Sequence, residues 1–169
     1  MIGGIIMRLM RIVIAVSAAS IVFAPPLPAH EPAATMGQPA ELSASARGAA
    51  VVVDAFHAAL RRGDTKSAAA VLADDALIFE SGGAERTKAE YAVHHLPADA
   101  AFVQAVRSSV TRRTGNTNGN LAWIATEGRL TGTYKSKAID QATTETMVLR
   151  KVGKSWKIVH IHWSSEAAS

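Results

Sequence analysis

The chain contains no cysteine. That excludes a disulfide scaffold, a thiol nucleophile and a lipid-modified amino-terminal cysteine, so the folded state has to rest on its core alone. Aromatic residues are sparse, with three Trp, two Tyr and four Phe in 169 residues. Apart from Arg61-Arg62 and Arg112-Arg113 the basic residues are scattered, and they do not alternate with aromatics as a binder of single-stranded nucleic acid requires. No nucleic-acid partner is expected. A strong charge excess is missing as well. Of the 18 Lys and Arg, Arg8 and Arg11 lie in the first 29 residues, and the remaining 16 stand against 14 Asp and Glu. Nor is there a long apolar run: the stretch from Ile12 to Ala24 meets Pro25, Pro26 and Pro28 before it reaches the roughly 20 residues a membrane span needs.

What the first residues do have is a basic start, a short apolar middle and small residues around Ala29, complete whether read from Met1 or from Met7. This is the layout of a cleavable secretory signal over residues 1–29, which predicts a periplasmic or secreted protein that meets the membrane only through that segment. Residues 30–45 are rich in Pro, Ala and Ser without periodicity and read as a flexible linker. One domain is expected over 46–165, followed by a tail at 166–169, because 169 residues at 49% apolar composition support one good core.

Within that domain Val52, Val53, Phe56 and Leu60 recur at helical spacing over 47–62, and Gly63 supplies a stop. Asp64 is placed to cap a second helix through Leu72, which Asp74-Asp75 should break. Ala76–Glu80 reads as a short strand closed by the Ser81-Gly82-Gly83 turn. Thr87 and Glu90 have capping-box spacing for a third helix carrying Tyr91, ending near Leu96-Pro97. From there the period changes to two: residues 101–113, 121–133, 141–151 and 156–164 alternate, separated by turn-rich segments. The expected fold is α+β, a cone-shaped curved antiparallel sheet with three N-terminal helices packed on its concave face.

The order of these elements, with VVVDAFHAALRRGD, ADDALIFESGGAERTKAEY and the terminal WKIVHIHWSS, resembles the nuclear transport factor 2-like superfamily, also called ketosteroid isomerase-like or SnoaL-like. The resemblance covers about residues 47–165. It implies a cone with a pocket between helices and sheet, and pairing into homodimers through the outer sheet surface. The superfamily hosts isomerases, cyclases, epoxide hydrolases, dehydratases and proteins without chemistry, so fold alone does not name a reaction. Its isomerases and cyclases use a pocket aspartate, and no Asp here maps onto it: Asp54 lies on the polar side of the first helix, and Asp74 and Asp75 fall in a turn.

The last hairpin suggests its own register. If Val152–Ser155 is the connection, Lys151 faces Trp156, Leu149 faces Ile158, Met147 faces His160 and Glu145 faces His162, all on one side of the sheet. With Trp156, Ile158, Leu149 and Met147 apolar, that side is expected to be concave. A Glu145–His162 pair is then the candidate for general acid–base work on a small organic ligand, with His160, Trp156, Met147, Glu80 and Tyr91 as ligand-contacting residues. His57 reads as an edge residue of the first helix. Two alternatives stay open. His160 and His162 point the same way along one strand and suit copper or zinc with a third ligand from Glu145, Glu80, Met147, His94 or His95. The domain is otherwise a non-catalytic dimeric interaction module, the reading favoured if the cone is filled with side chains.

Overall fold

The computed structural model describes residues 41–168, all within one compact unit. The signal at 1–29 and residues 30–40 of the linker lie outside the described residues. Among the described residues no helix is long and apolar enough to cross a membrane.

Helix α1 (Arg47–Arg61) buries Ala49, Ala50, Val53, Phe56 and Leu60, the 3.6-residue stripe its sequence spells out. It ends where Gly63, at φ +71°, takes the left-handed conformation, its N–H donating to the Leu60 carbonyl at 2.9 Å. The Asp64 carboxylate accepts from Ser67 N–H at 2.9 Å and starts α2 (Thr65–Ala70). Thr87 caps α3 (Lys88–Val93), its hydroxyl accepting from Glu90 N–H at 3.0 Å, while the Glu90 carboxylate reaches back to Arg86 N–H at 2.7 Å, one residue beyond the cap. A fourth helix, α4 (Leu96–Ala105), occupies residues read as the start of a strand. Pro97 sits in its first turn, where the missing N–H costs nothing, and Asp99 follows in the same turn. Proline here opens a helix; the expectation was that it closed one.

Six strands form one sheet in the order β2-β1-β6-β5-β4-β3. They are β1 (Leu72–Glu80), β2 (Gly83–Glu85), β3 (Val106–Asn118), β4 (Leu121–Tyr134), β5 (Lys137–Val152) and β6 (Ser155–Ala167). All pairs are antiparallel except β1 with β6, so the sheet is mixed. Asp74-Asp75, expected to break the second helix and form a turn, lie within β1, where Asp75 takes a two-oxygen contact from Arg150 at 2.8 and 3.0 Å. The segment expected to join β4 and β5 is a tight turn: Lys135 and Ser136 both have positive φ, 48° and 63°, and Tyr134 pairs with Lys137. Primed turns of this hand match the twist of the strands they join.

The β5–β6 hairpin begins in the expected register, Lys151 opposite Trp156 and Leu149 opposite Ile158. It then slips by one residue, so that Val148 pairs with His160, Met147 with Ile161, Thr146 with His162 and Glu145 with Trp163. Val159 is the extra residue of a β-bulge. Because side chains alternate, one inserted residue turns everything beyond it to the other face. Ile161 and Trp163 therefore point into the cone, and His160 and His162 point out. A second bulge lies in β3 between Val110 and Arg112. Beneath the helices Ile78, Ala122, Ile124, Met147, Leu149, Ile158 and Ile161 form the closed apolar end with Val53, Phe56 and Leu60.

Candidate functional site

Each layer of the concave face is a row of register partners running across the strands, and the layers change character from the closed end outward. Gly115, Ile124, Met147, Ile161 and Ile78 make one row, entirely buried and without a charge. Two residues further along each strand, apart from the bulges, the next row reads Arg113, Thr126, Glu145, Trp163 and Glu80. Beyond it Val110, Gly128 and Thr143 are small enough to leave space. That space is a cleft of about 730 Å³ with the polar row at its base. Its walls include Leu60, Phe102, Val103, Leu130 and Tyr134. The cone is open, so the condition attached to a purely non-catalytic module is not met.

Glu145 is the centre of the polar row. One of its oxygens, Oε2, accepts from Trp163 Nε1 at 2.7 Å and lies 2.8 Å from His57 Nε2. The carboxylate is only 7% exposed, and its Oε1 is buried without a hydrogen-bond partner among the described residues. Burial, the largest single influence, pushes its pKa up, yet hydrogen bonding and attraction from His57, the Trp163 N–H and the Arg113 guanidinium together hold it below the ordinary carboxylate value. An ionised carboxylate only accepts, so the proton of this contact belongs to His57 Nε2, and Nδ1 remains as the ring nitrogen able to exchange a proton. Arg113 is itself held by Thr126 Oγ1 at 3.2 Å and by Asp54 at 2.6 Å.

A second polar group closes the corner where β1 ends against α4. The Tyr91 hydroxyl, fully buried, donates to Asp99 Oδ2 at 2.7 Å. Asp99 and Glu80 both line the cleft and are half-buried. Burial raises the pKa of Asp99, offset in part by the Tyr91 hydrogen bond and by attraction to His95. Burial also raises Glu80, the charge of Asp99 adds to this, and His95 opposes it. Burial first, with Asp99 and Glu80 adding, drives Tyr91 far above the usual phenol value. His95 is in contact with the buried carboxylate of Glu85.

The predicted site residues separate. Glu145 and Glu80 lie on the cleft, but His162 does not join them: the bulge turns it outward, and it is exposed. His160 is on that same outer face, its Nδ1 2.9 Å from the Leu77 carbonyl. Both imidazoles stand edge-on to Phe79, with centroids 5.3 and 6.2 Å away. Met147 is wholly buried one row below the cleft, and Tyr91 reaches the cleft only through Asp99. Trp156 lies at the closed end of the cone, beside a separate shallow cavity lined by Gly48, Val52 and Val71. Among the described residues no three His, Cys, Asp or Glu side chains gather as a metal cage. Asp99 and Arg113 were missed, and so was His57. Its signal was present: Asp54, His57 and Arg61 line the cleft at spacings of three and four, a polar stripe beside the apolar one on α1.

The SnoaL-like domain description fits residues 50–168. A candidate ketosteroid isomerase of Shewanella frigidimarina is similar at 37% identity and a TM-score of 0.67, over 69% of this chain and 94% of that one. A nuclear transport factor 2-like protein of Pseudomonas putida matches at 20% identity, TM-score 0.60, over 72% and 87%. A candidate dehydratase of Streptomyces avermitilis from the same fold family matches at 18%, TM-score 0.59, over 72% and 96%. At these last two identities the likeness is one of fold. No curated protein matches the chain.

Proposed function

The chain belongs to the SnoaL-like domain family, and from that premise we propose that its cleft captures a small, largely apolar organic molecule and moves a proton on it at His57. The observation that carries this reading is the convergence of His57 and Trp163 on one oxygen of a buried, ionised Glu145 at the base of a roomy cleft. Three rigid elements supply the three groups: α1 gives the imidazole, β5 the carboxylate and β6 the indole. Glu145 orients the ring, and Trp163 fixes Glu145. An imidazole so held accepts a proton when neutral and gives it back when protonated.

Such a group, in an apolar cleft, suits isomerisation, ring closure or loss and addition of water, each of which needs a proton removed from one atom and delivered to another. The names of two similar proteins, a candidate ketosteroid isomerase and a candidate dehydratase, describe reactions of that kind. The carbon acid would pack against Leu60, Phe102 and Leu130, and the proton taken by His57 is returned from the same ring. Burial of Glu145 keeps its charge from being screened by solvent.

A general assay needs no named substrate. A panel of cyclic ketones in D₂O, followed by NMR for exchange of the C–H next to the carbonyl, should show protein-accelerated exchange for the members that fit. His57→Gln should reduce that acceleration about 100-fold or more while the fold is retained. Exchange no faster than buffer for every ketone, or full activity in His57→Gln, would sink the reading.

We extend the proposal to a homodimer formed through the outer sheet face. Trp123 and Phe79 stand 42% and 38% exposed there, beside Val148, His160 and His162. A second copy would cover them.

A further inference from the structure

We infer that the corner of the cleft built by Glu80 and Asp99 recognises a protonated amine carried on an apolar, aromatic body. This deepens the reading of the cleft as a ligand site and names the class of ligand.

The two carboxyls face the same cavity from different elements, Glu80 from the end of β1 and Asp99 from the first turn of α4. Neither has an ion-pair partner among the described residues. Every cation in a pair is committed elsewhere: Arg113 to Asp54, Lys88 to Asp74, Arg150 to Asp75, Arg129 to Asp140, Arg112 to Glu127. His95, whose field acts on both acids, is in contact with Glu85. Tyr91 occupies only Oδ2 of Asp99, which leaves Oδ1 and both oxygens of Glu80 without a donor among the described residues. Among the described residues the arrangement offers several acceptors, and its neighbouring base, His95, is engaged by Glu85.

A second and independent feature points the same way. Glu145 is nine-tenths buried on the same cleft, separated from Glu80 in the polar row by Trp163 alone, and one of its oxygens has no partner. From its centre to its β1 end, the base of the cleft is therefore short of hydrogen-bond donors among the described residues. The remaining cations of the lining, Arg61 and Lys135, are exposed. At this corner a ligand carboxylate would meet unpaired acids, with Arg113 at the far end of the row and bound to Asp54, whereas an ammonium supplies what the acids lack. Phe102, Tyr134 and Trp163 line the same space and suit the body of an aromatic amine as well as its charge. Burial holds Glu80 and Asp99 above their ordinary values, and a bound cation would favour their ionised forms.

The test compares matched probes: phenethylamine, phenethyl alcohol and hydrocinnamate, with their naphthyl counterparts, titrated calorimetrically into the folded protein near neutral pH. Amines should bind about tenfold or more tighter than the alcohols, with carboxylates weakest. The Glu80→Gln, Asp99→Asn double variant keeps shape and the Tyr91 contact. It should lose the amine preference and keep its affinity for the alcohol. An alcohol that binds as well as its amine, a double variant that keeps the preference, or no binding by any amine overturns the inference. Ketone exchange at His57 with no amine preference would overturn this inference and leave the proton-transfer reading standing; amine preference without exchange would do the reverse.

Discussion

Glu145 and Asp99 sit in one cleft, yet their surroundings push them in opposite directions, and the pH dependence of stability should separate them. Glu145 is raised by burial but brought below its ordinary value by His57, Trp163 and Arg113, so folding favours its ionised form. Its stabilising contribution is present in full above the unfolded value of about 4.3 and is lost as pH falls through the lower folded value. Asp99, raised by burial against the partial offset of Tyr91 and His95, behaves inversely. Folding favours its protonated form, which stabilises below about 3.9 and is lost as pH rises through the folded value. Urea midpoints measured across the acid range should show Glu145→Gln costing most near neutrality, with the gap to wild type closing on acidification. Asp99→Asn should be tolerated best near neutrality. A Glu145→Gln deficit that widened in acid would mean that the fold does not favour the carboxylate. A simpler case at this scale is Gly115, where an added Cβ would lie 2.7 Å from Ile124 Cδ1 and from the Trp123 carbonyl oxygen and 3.0 Å from Leu42 Cδ1. Gly115→Ala should destabilise by about 1–3 kcal/mol in a denaturant titration. An unchanged midpoint would show that the layer beneath the cleft yields more than its packing suggests.

The elements were legible where a local pattern has a local cause. The apolar stripe of α1, the Asp64 and Thr87 caps and the first rungs of the β5–β6 hairpin all follow from residues a few places apart. Two features were misread for a physical reason. Pro97 ends a helix or opens one equally well, and only the alanine-rich run after it, helix-favouring but also compatible with alternation, decides. In WKIVHIHWSS strict alternation from Ile158 puts His160 and His162 inside and Ile161 and Trp163 outside. The adjacent pair Ile158-Val159 was the sign of a phase slip, because a bulge there buries Ile161, turns Trp163 into the cone and puts the two imidazoles on the outer face, which is the cheaper arrangement. The site was half-legible in consequence: Glu145 could be found from its strand, but its partner lay on a helix whose polar stripe had looked like surface. The bulge can be tested by deleting Val159. Without it the hairpin returns to regular register, Ile161 and Trp163 turn outward, and the polar row loses its indole. Near-ultraviolet circular dichroism should report loss of fixed tertiary structure; a well-packed deletion variant would show that the slip is not what places Trp163 inside.

At the scale of the molecule the two faces of one sheet divide the labour, and the bulge is what divides it. The inner face carries the cleft. The outer face presents Asn116, Trp123, Val148, His160 and Leu77 as one cross-strand row, with Thr114, Ala125, Thr146, His162 and Phe79 as the next. Around this surface, charges are already neutralised within the chain: Arg112 with Glu127 and Arg129 with Asp140. Such pairs add little stability on an exposed surface, but each cancels its own charge and does not by itself repel an identical face. The proposed dimer would need about 800 Å² from each copy, an area that several neighbouring strands can provide. Trp123, near the middle of the outer row and 42% exposed, is the anchor such an interface would bury. Sedimentation of the wild-type domain should give a dimer at micromolar concentration, and Trp123→Glu should give a monomer with the cleft chemistry at His57 intact, since Trp123 points away from the cleft. A wild-type monomer would remove the dimer. A Trp123→Glu protein that stayed dimeric would move the interface elsewhere, and one that became monomeric and lost exchange activity would show that the second copy supports the cleft through the sheet.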